Sequence, residues 1–243
     1  MEMLYCQCMV LFSLFIFLAG VPANGETLPE WFIPLREAIY EQQLTAGEIE
    51  PLYREISSRA GTSLSGAARY LILSRCEYMM GRAYQYEERK NEAMARYDEG
   101  IRMAERALEI QESAEAWVIL AENLSQSCVV RPASYAMANG LKVERYAKNA
   151  LKINSRNAAA QYMIAARWVY APSPLHNYNK GIEMLTAIPN ESNMEKDDIF
   201  NVYSAMGYAY IKRKNNMQAR NWLSRALEIY PTNKYAKSLL AGL

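Results

Sequence analysis

Acid–base, nucleophilic and metal chemistry each need a particular set of side chains, and few of those sets occur in this sequence. The 243 residues include one histidine, His176, in the proline-bounded stretch "APSPLHNY". A single imidazole leaves neither the usual histidine-based zinc site nor a Ser-His-Asp triad. Of the four cysteines, Cys6 and Cys8 lie in the apolar N-terminal segment, and Cys76 and Cys128 lack metal-ligand spacing. That second pair is compatible with one disulfide in an oxidising compartment or with two separate buried thiols. No phosphate-binding loop, dinucleotide fingerprint or G-x-S-x-G appears. Acidic residues fall mostly beside Lys and Arg, as in "YEERKNE", on solvated helix faces. These residues imply no catalytic group, no metal and no cofactor, so the expectation is a non-enzymatic chain. Asn123 and Asn190 begin sequons, "NLS" and "NES". The pattern is common by chance, and Asn123 falls on a helix predicted to be packed.

A chain with 51% hydrophobic and 22% charged residues can bury a core and is too polar to span a membrane repeatedly. The near balance of 27 basic and 26 acidic residues leaves no clustered cationic stripe for nucleic acid. Ala, Glu, Lys, Arg, Leu, Met and Tyr dominate, and Gly and Pro are few, which suits long helices. Residues 1–25 differ in character. An apolar run from Met9 to Leu18 precedes Gly20, Pro22 and small residues through Gly25. This predicts a secretory signal peptide cut after Ala23 or Gly25, with an uncleaved signal-anchor as the alternative. The acidic Glu2 is atypical of such a segment, and Val21 stands where a lipidated cysteine would have to be. The expected location is therefore exported: periplasm or cell envelope if the source is bacterial, or tethered to the membrane if the segment is retained.

The stretch from Tyr203 to Pro231, "YSAMGYAYIKRKNNMQARNWLSRALEIYP", supplies the architecture. Tyr203, Met206, Gly207 and Tyr210 share one helical face, and Ala219, Leu223 and Ala226 share another after the polar "KRKNN". Antiparallel helices joined by a short turn approach closely where facing residues are small, which Gly207, Ala219 and Ala226 provide. Pro231 marks the stop. The same spacing recurs at Met80, Gly81, Tyr84, Ala93 and Tyr97. Trp117, Leu120, Ala121 and Leu124 repeat the first-helix half, and "RALEI", "NALKI" (with Ala150) and "RALEI" repeat the end of the second.

This pattern resembles the tetratricopeptide repeat (TPR), a 34-residue helix-turn-helix unit. With a unit starting at Phe200, eight signature positions from Tyr203 to Pro231 carry an acceptable residue. Unit starts near Ser74, Ala114, Ala158 and Phe200 are 40 to 44 residues apart, so insertions are implied. The resemblance implies an all-α, right-handed α-solenoid. It predicts a helical hairpin over 26–62, then about four repeats and a short capping helix over 63–243, as one continuous domain. The stretches 125–140 and 171–178 read as loops inserted between first and second helices.

In such a stack the first helices line the concave face. The resemblance places Arg75, Tyr78, Arg82, Gln85 and Tyr86 of the first unit there, with Glu115, Val118 and Glu122 of the second. Tyr162 and Tyr170 of the third follow, then Asn201, Ser204, Tyr208, Ile211 and Lys212 of the last. Arg75, Tyr78, Arg82, Tyr86, Glu122, Tyr162, Tyr208 and Lys212 form the candidate binding set, and Gly81, Ala93, Trp117, Ala121, Ala150, Gly207, Ala219, Ala226 and Pro231 the structural set. Tyrosine rings with scattered charge suit a peptide or protein segment, and alternatively a small amphipathic molecule. Tyr78, Arg82, Val118 and Glu122 stand where chaperone-adaptor TPRs carry Lys and Asn, so the carboxylate clamp of that subgroup is not implied. The expected function is an envelope scaffold or adaptor with a protein or peptide partner. The alternative is an accessory of a periplasmic solute transporter, similar to TPR proteins associated with TRAP transporters.

Overall fold

A computed structural model describes residues 28–188 and 194–243, and the proposed signal segment and Asn190 lie outside these. The described residues are helical with no strand. A 3-10 turn, Glu30–Phe32, leads into α1 (Ile33–Glu41) and α2 (Ala46–Ser63). Four helical hairpins follow: α3 (Gly66–Tyr86) with α4 (Lys90–Ile110), α5 (Ala114–Val130) with α6 (Ala133–Ile153), α7 (Ala158–Tyr170) with α8 (Tyr178–Thr186), and α9 (Lys196–Lys212) with α10 (Asn216–Ile229). The short α11 (Lys234–Ala241) ends the stack. Each helix packs chiefly on its neighbours in sequence, so the protein is an all-α solenoid.

Local chemistry fixes where these helices start. Ser113, Asn157, Asn177, Asn215 and Asn233 each accept a backbone N–H with the side-chain oxygen at a helix N-terminus. Thr45 and Glu48 form a reciprocal capping box at α2. The small residues lie where helices cross. Ala93, Ala121, Ala150, Ala219 and Ala226 have no exposed surface. A Cβ on Gly81 would stand 2.5 Å from the Tyr97 ring, and one on Gly207 would stand 2.6 Å from Leu223 Cγ. At these two crossings glycine is needed for close approach.

The stretch 125–140 is not a loop. Helix α5 continues to Val130 and α6 begins at Ala133, leaving only Arg131 and Pro132 between them. Ser, Cys, Val and Ala here tolerate helical geometry, and Pro132, at φ −56° and ψ 152° just before α6, provides the break. Residues 171–177 do form a non-helical connection before α8. The second helices differ in length, with 21 residues in α4 and α6 but nine in α8. The long α4 and α6 account for a spacing above 34 in the first two units, whereas in the third the added residues lie outside the short α8. Cys76 is buried, Cys128 is half-buried, and both thiols are free.

The solenoid closes on itself. The 3-10 turn and helix α1 bury Phe32, Leu35, Ile39 and Tyr40 in one core with Phe200 of α9, Ala226 and Tyr230 of the α10 end, and Ala236 of α11. Tyr40 stacks on Tyr230 with ring centroids 5.0 Å apart and meets Phe200 edge-on at 5.6 Å. Polar groups complete the join. Arg36 pairs with Glu195 and with Asp197 at 3.6 Å, Lys196 pairs with Glu37, and the Tyr230 hydroxyl donates to Glu37. The C-terminus of α1 and the N-terminus of α11 satisfy each other's backbone groups. Asn233 Nδ2 donates to the Tyr40 carbonyl at 2.7 Å, Thr232 donates to the Glu41 carbonyl at 2.7 Å, and Gln42 Oε1 accepts from the Lys234 amide at 2.7 Å. Gln42 holds this position at a left-handed φ of 55°, where α1 stops.

Candidate binding site on the inner face

Residues one turn apart on the first helix of each hairpin share a face, so α3 aligns Tyr78, Arg82 and Tyr86. Arg82 sits among tyrosines. Its Nη1 donates to Tyr40 Oη at 3.0 Å and to Tyr78 Oη at 3.2 Å, and Nη2 donates to Tyr86 Oη. The guanidinium lies over the rings of Tyr40, Tyr78 and Tyr86, with the Tyr40 centroid 4.7 Å away. Arg82 is thus tied to the α1 closure as well as to the inner face. Asn201, also on the inner face, donates to the same Tyr40 hydroxyl at 3.1 Å.

A second tyrosine group lies across from the first. Tyr170 of α7 and Tyr208 of α9 have ring centroids 5.1 Å apart, and Tyr235 of α11 reaches the Tyr170 hydroxyl. Burial pushes the Tyr235 hydroxyl up to about 12 and raises those of Tyr162 and Tyr170 further. Yet Tyr86, Tyr170 and Tyr235 keep 38%, 42% and 39% of their surface exposed. Rings that are surrounded but still wet belong to a space open to solvent, not to a sealed core. Tyr86 and Tyr235 also line a cleft of about 630 Å³ at the junction of α1, α2, α3 and α11. Leu44, Tyr86 and Tyr235 offer apolar surface there, and Glu88 and Lys234 stand among its polar lining.

Charges of both signs are left unpaired inside. Arg75 on α3, Glu122 on α5 and Asp198 on α9 act on one another electrostatically, yet none makes an ion pair or hydrogen bond among the described residues. Arg75 Nε is buried with no partner. Burial drives the Glu122 carboxyl up to about 7, against the pull of Arg75, and raises that of Asp198 as well, with the Asp197 and Glu122 charges adding to it.

The raised Glu122 carboxyl has a consequence for stability. Its folded value of about 7 exceeds the ordinary 4.5, so between those pH values the folded protein binds more protons than the unfolded chain. Stability therefore falls as pH rises through that window and levels off above 7. Discounted for the partial exposure of this side chain, the effect is about 1–2 kcal/mol. Glu122→Gln should gain that amount over wild type in urea unfolding at about pH 8 and almost nothing near pH 4.5. An equal gain at both pH values would contradict the assignment.

The other residues expected on this face divide by environment. Tyr162 and Tyr208 are half-buried and Lys212 is exposed, with its ammonium 5.1 Å from the Tyr208 ring. Gln85 instead accepts the Tyr97 hydroxyl at 2.6 Å, and Val118 packs in the core. Trp117 stacks on Tyr146 at 5.5 Å, and Pro231 is exposed just beyond α10. Asn123 is fully buried, donating to the Ile119 carbonyl at 2.9 Å and to Ser74 Oγ at 3.2 Å. Arg36, Tyr40, Asp197, Asp198, Tyr230 and Tyr235 were not expected at the inner face or its closure. The sequence carried one signal for them: the buried stripe of α1 includes Arg36 beside Leu35 and Ile39, broader than packing on one neighbour requires.

Among the described residues no group of His, Cys, Asp and Glu has the arrangement to hold a metal, and no helix is long and apolar enough to cross a membrane. The fold and inner face thus define a helical-repeat protein of the α-solenoid class with a tyrosine-lined interior. No family model matches the chain, and no curated protein matches it. Among solved structures it is similar to YrrB, described as a TPR protein with an unusual peptide-binding site. The two share 15% sequence identity over 86% of this chain and 89% of that one, with a TM-score of 0.37.

Proposed function

We propose that this is a non-enzymatic, exported interaction protein that binds a peptide or protein segment on its inner face. The observation that carries the reading is a set of tyrosines from three helices that keep solvent access, Tyr86 and Tyr170 exposed and Tyr162 and Tyr208 half-buried. Aromatic rings with a polar tip give large contact area at low entropic cost, which suits extended segments. Export rests on the apolar run from Met9 to Leu18 and the small residues that follow. An affinity capture from the native envelope tests both points, comparing wild type with Tyr162→Ala/Tyr208→Ala after equal helicity is established. A partner held by wild type and lost by the variant supports the inner face. A partner held equally by both moves recognition elsewhere.

The closure by α1 favours a second reading, an accessory that carries a small molecule for a periplasmic transport system. Helix α1 spans from Arg82 on α3 to Tyr230 and α11, which bounds the inner face on that side, and the 630 Å³ cleft lies beside it. Spaces of that size suit small ligands. A small molecule released when the purified protein is denatured, and identified by mass spectrometry, would support this reading. Repeated recovery of empty protein together with a captured polypeptide would favour the first.

A further inference from the structure

Arg82 is a cation without an anion. Among the described residues it makes no ion pair, and its hydrogen bonds all go to tyrosine hydroxyls. Nη1 donates to Tyr40 at 3.0 Å and to Tyr78 at 3.2 Å, and Nη2 donates to Tyr86. A guanidinium carries five N–H bonds, so Nε and one hydrogen of Nη2 are left over. The tyrosines add to this surplus. Each hydroxyl spends a lone pair on Arg82, and Tyr40 spends its second on Asn201 at 3.1 Å. None of the three O–H groups has an acceptor among the described residues. Tyr40 and Tyr78 are 0% and 5% exposed, so water does not supply one. A cluster of donors around one positive charge calls for an acceptor that is itself negative, because buried groups of this kind are paired in native structures.

This cluster adjoins the cleft of about 630 Å³. Tyr86, whose hydroxyl lies on Arg82, is part of the cleft lining, as are Ile39 and Ala83, the chain neighbours of Tyr40 and Arg82. Ala38, Leu44 and Ile49 supply further apolar lining. Several of its polar groups are already engaged. Gln42 accepts the Lys234 amide, and Glu87 accepts the Ala46 amide at 2.6 Å and pairs with Arg89 at 3.6 Å. The charge of Glu88 is offset by that of Lys234 in the same lining. We propose that the cleft binds a monocarboxylic acid with an aliphatic chain, its carboxylate accepting from Arg82 and Tyr86 and its chain lying along Ile39, Leu44, Ile49 and Ala83. One positive charge among neutral hydroxyl donors matches a single negative charge. The inference rests on the small-molecule reading above and names its ligand class.

The test is titration calorimetry of the purified protein with octanoate, octanamide, butanoate and N-acetyl-trialanine. Octanamide keeps the shape of octanoate without the charge, and butanoate keeps the charge without most of the chain. The peptide presents the same carboxylate on the end of a polypeptide. Octanoate should bind at least about tenfold more tightly than octanamide, the difference a hydrogen bond to a charged group makes. It should also exceed butanoate by at least about tenfold, since each buried methylene is worth about threefold. The peptide should bind more weakly than octanoate. Arg82→Gln should bring octanoate down to the octanamide level, once wild-type helicity is established. Tyr86→Phe removes only the hydroxyl of a ring that is 38% exposed, so it decides the matter should the Arg82 variant not fold. It should weaken octanoate by about tenfold and octanamide by less.

Octanamide or butanoate binding as tightly as octanoate would overturn the proposal. So would a Tyr86→Phe protein with unchanged affinity for octanoate, or no binding of octanoate up to about 5 mM, a level far above useful affinity. Tighter binding of the peptide than of octanoate would overturn it in favour of a polypeptide end, in line with the first functional reading. A small molecule without a carboxylate, recovered from the denatured native protein, would overturn this inference alone and leave the small-molecule reading standing.

Discussion

Tyr40→Ala is expected to cost about 4 kcal/mol of stability, as full truncation of a buried aromatic does. The ring has no exposed surface and makes two aromatic contacts, with Phe200 and Tyr230. Its hydroxyl accepts from Arg82 and Asn201, so truncation also takes an acceptor from a guanidinium among rings. The loss is not confined to α1. Tyr40 is the point where α1, α3, α9 and the α10 end meet, and without it the last hairpin is held mainly through α7 and α8. Urea unfolding should therefore show the lowered midpoint, and amide exchange should show faster opening in α9 to α11 than in α3 to α6. A loss under about 1 kcal/mol, the range of ordinary surface changes, would mean that α1 is an appendage.

Ala226→Glu should be at least as damaging, about 4 kcal/mol or more, and should unfold the last hairpin. Ala226 is fully buried, and its carbonyl accepts the Tyr230 amide that ends α10. A carboxylate at this fully buried position is taken out of water, and an uncompensated buried charge costs several kcal/mol. Because α1 is seated on Phe200 and Tyr230, the disturbance should reach the N-terminal closure too. Met217→Glu, on the same helix but 75% exposed, serves as the comparison and should change stability by less than about 0.5 kcal/mol. Circular dichroism and the urea midpoint distinguish the two directly. Similar behaviour of both variants would contradict the packing at Ala226.

What could be read from the sequence was what repeats. Gly81, Gly207, Ala93, Ala219 and Ala226 recur at fixed separations because two helices can touch only through small residues, and the structure buries each of them. Helix starts were marked by Asn and Ser, whose short side chains reach the first amides. The stretch 125–140 was misread because Ser, Gly140 and Pro132 suggest a loop by composition, while the break needed only two residues. The closure was not legible at all. Arg36 meets Glu195 across 159 positions of sequence, and Asn233 meets Tyr40 across 193. Such pairs follow from the curvature of the whole stack, which local periodicity does not encode. The same holds for the inner face. Register placed Arg75, Glu122 and Tyr162 on it, but their unpaired state depends on what the neighbouring helices fail to supply.

The most direct test of the account is whether the first described helix closes onto the last one. Glu41→Cys and Thr232→Cys place thiols on two residues whose side chains and backbone meet in the closed form. Cys6, Cys8 and Cys128 are replaced by serine, and the buried Cys76 is kept. Mild oxidation should give an intramolecular disulfide in the monomer, seen as a mobility shift that reductant reverses, since a bridge forms readily only between positions already within about 7 Å. Failure to form that bridge in a fully helical monomer would contradict the closure, and with it the enclosed tyrosine-lined interior on which the functional reading depends.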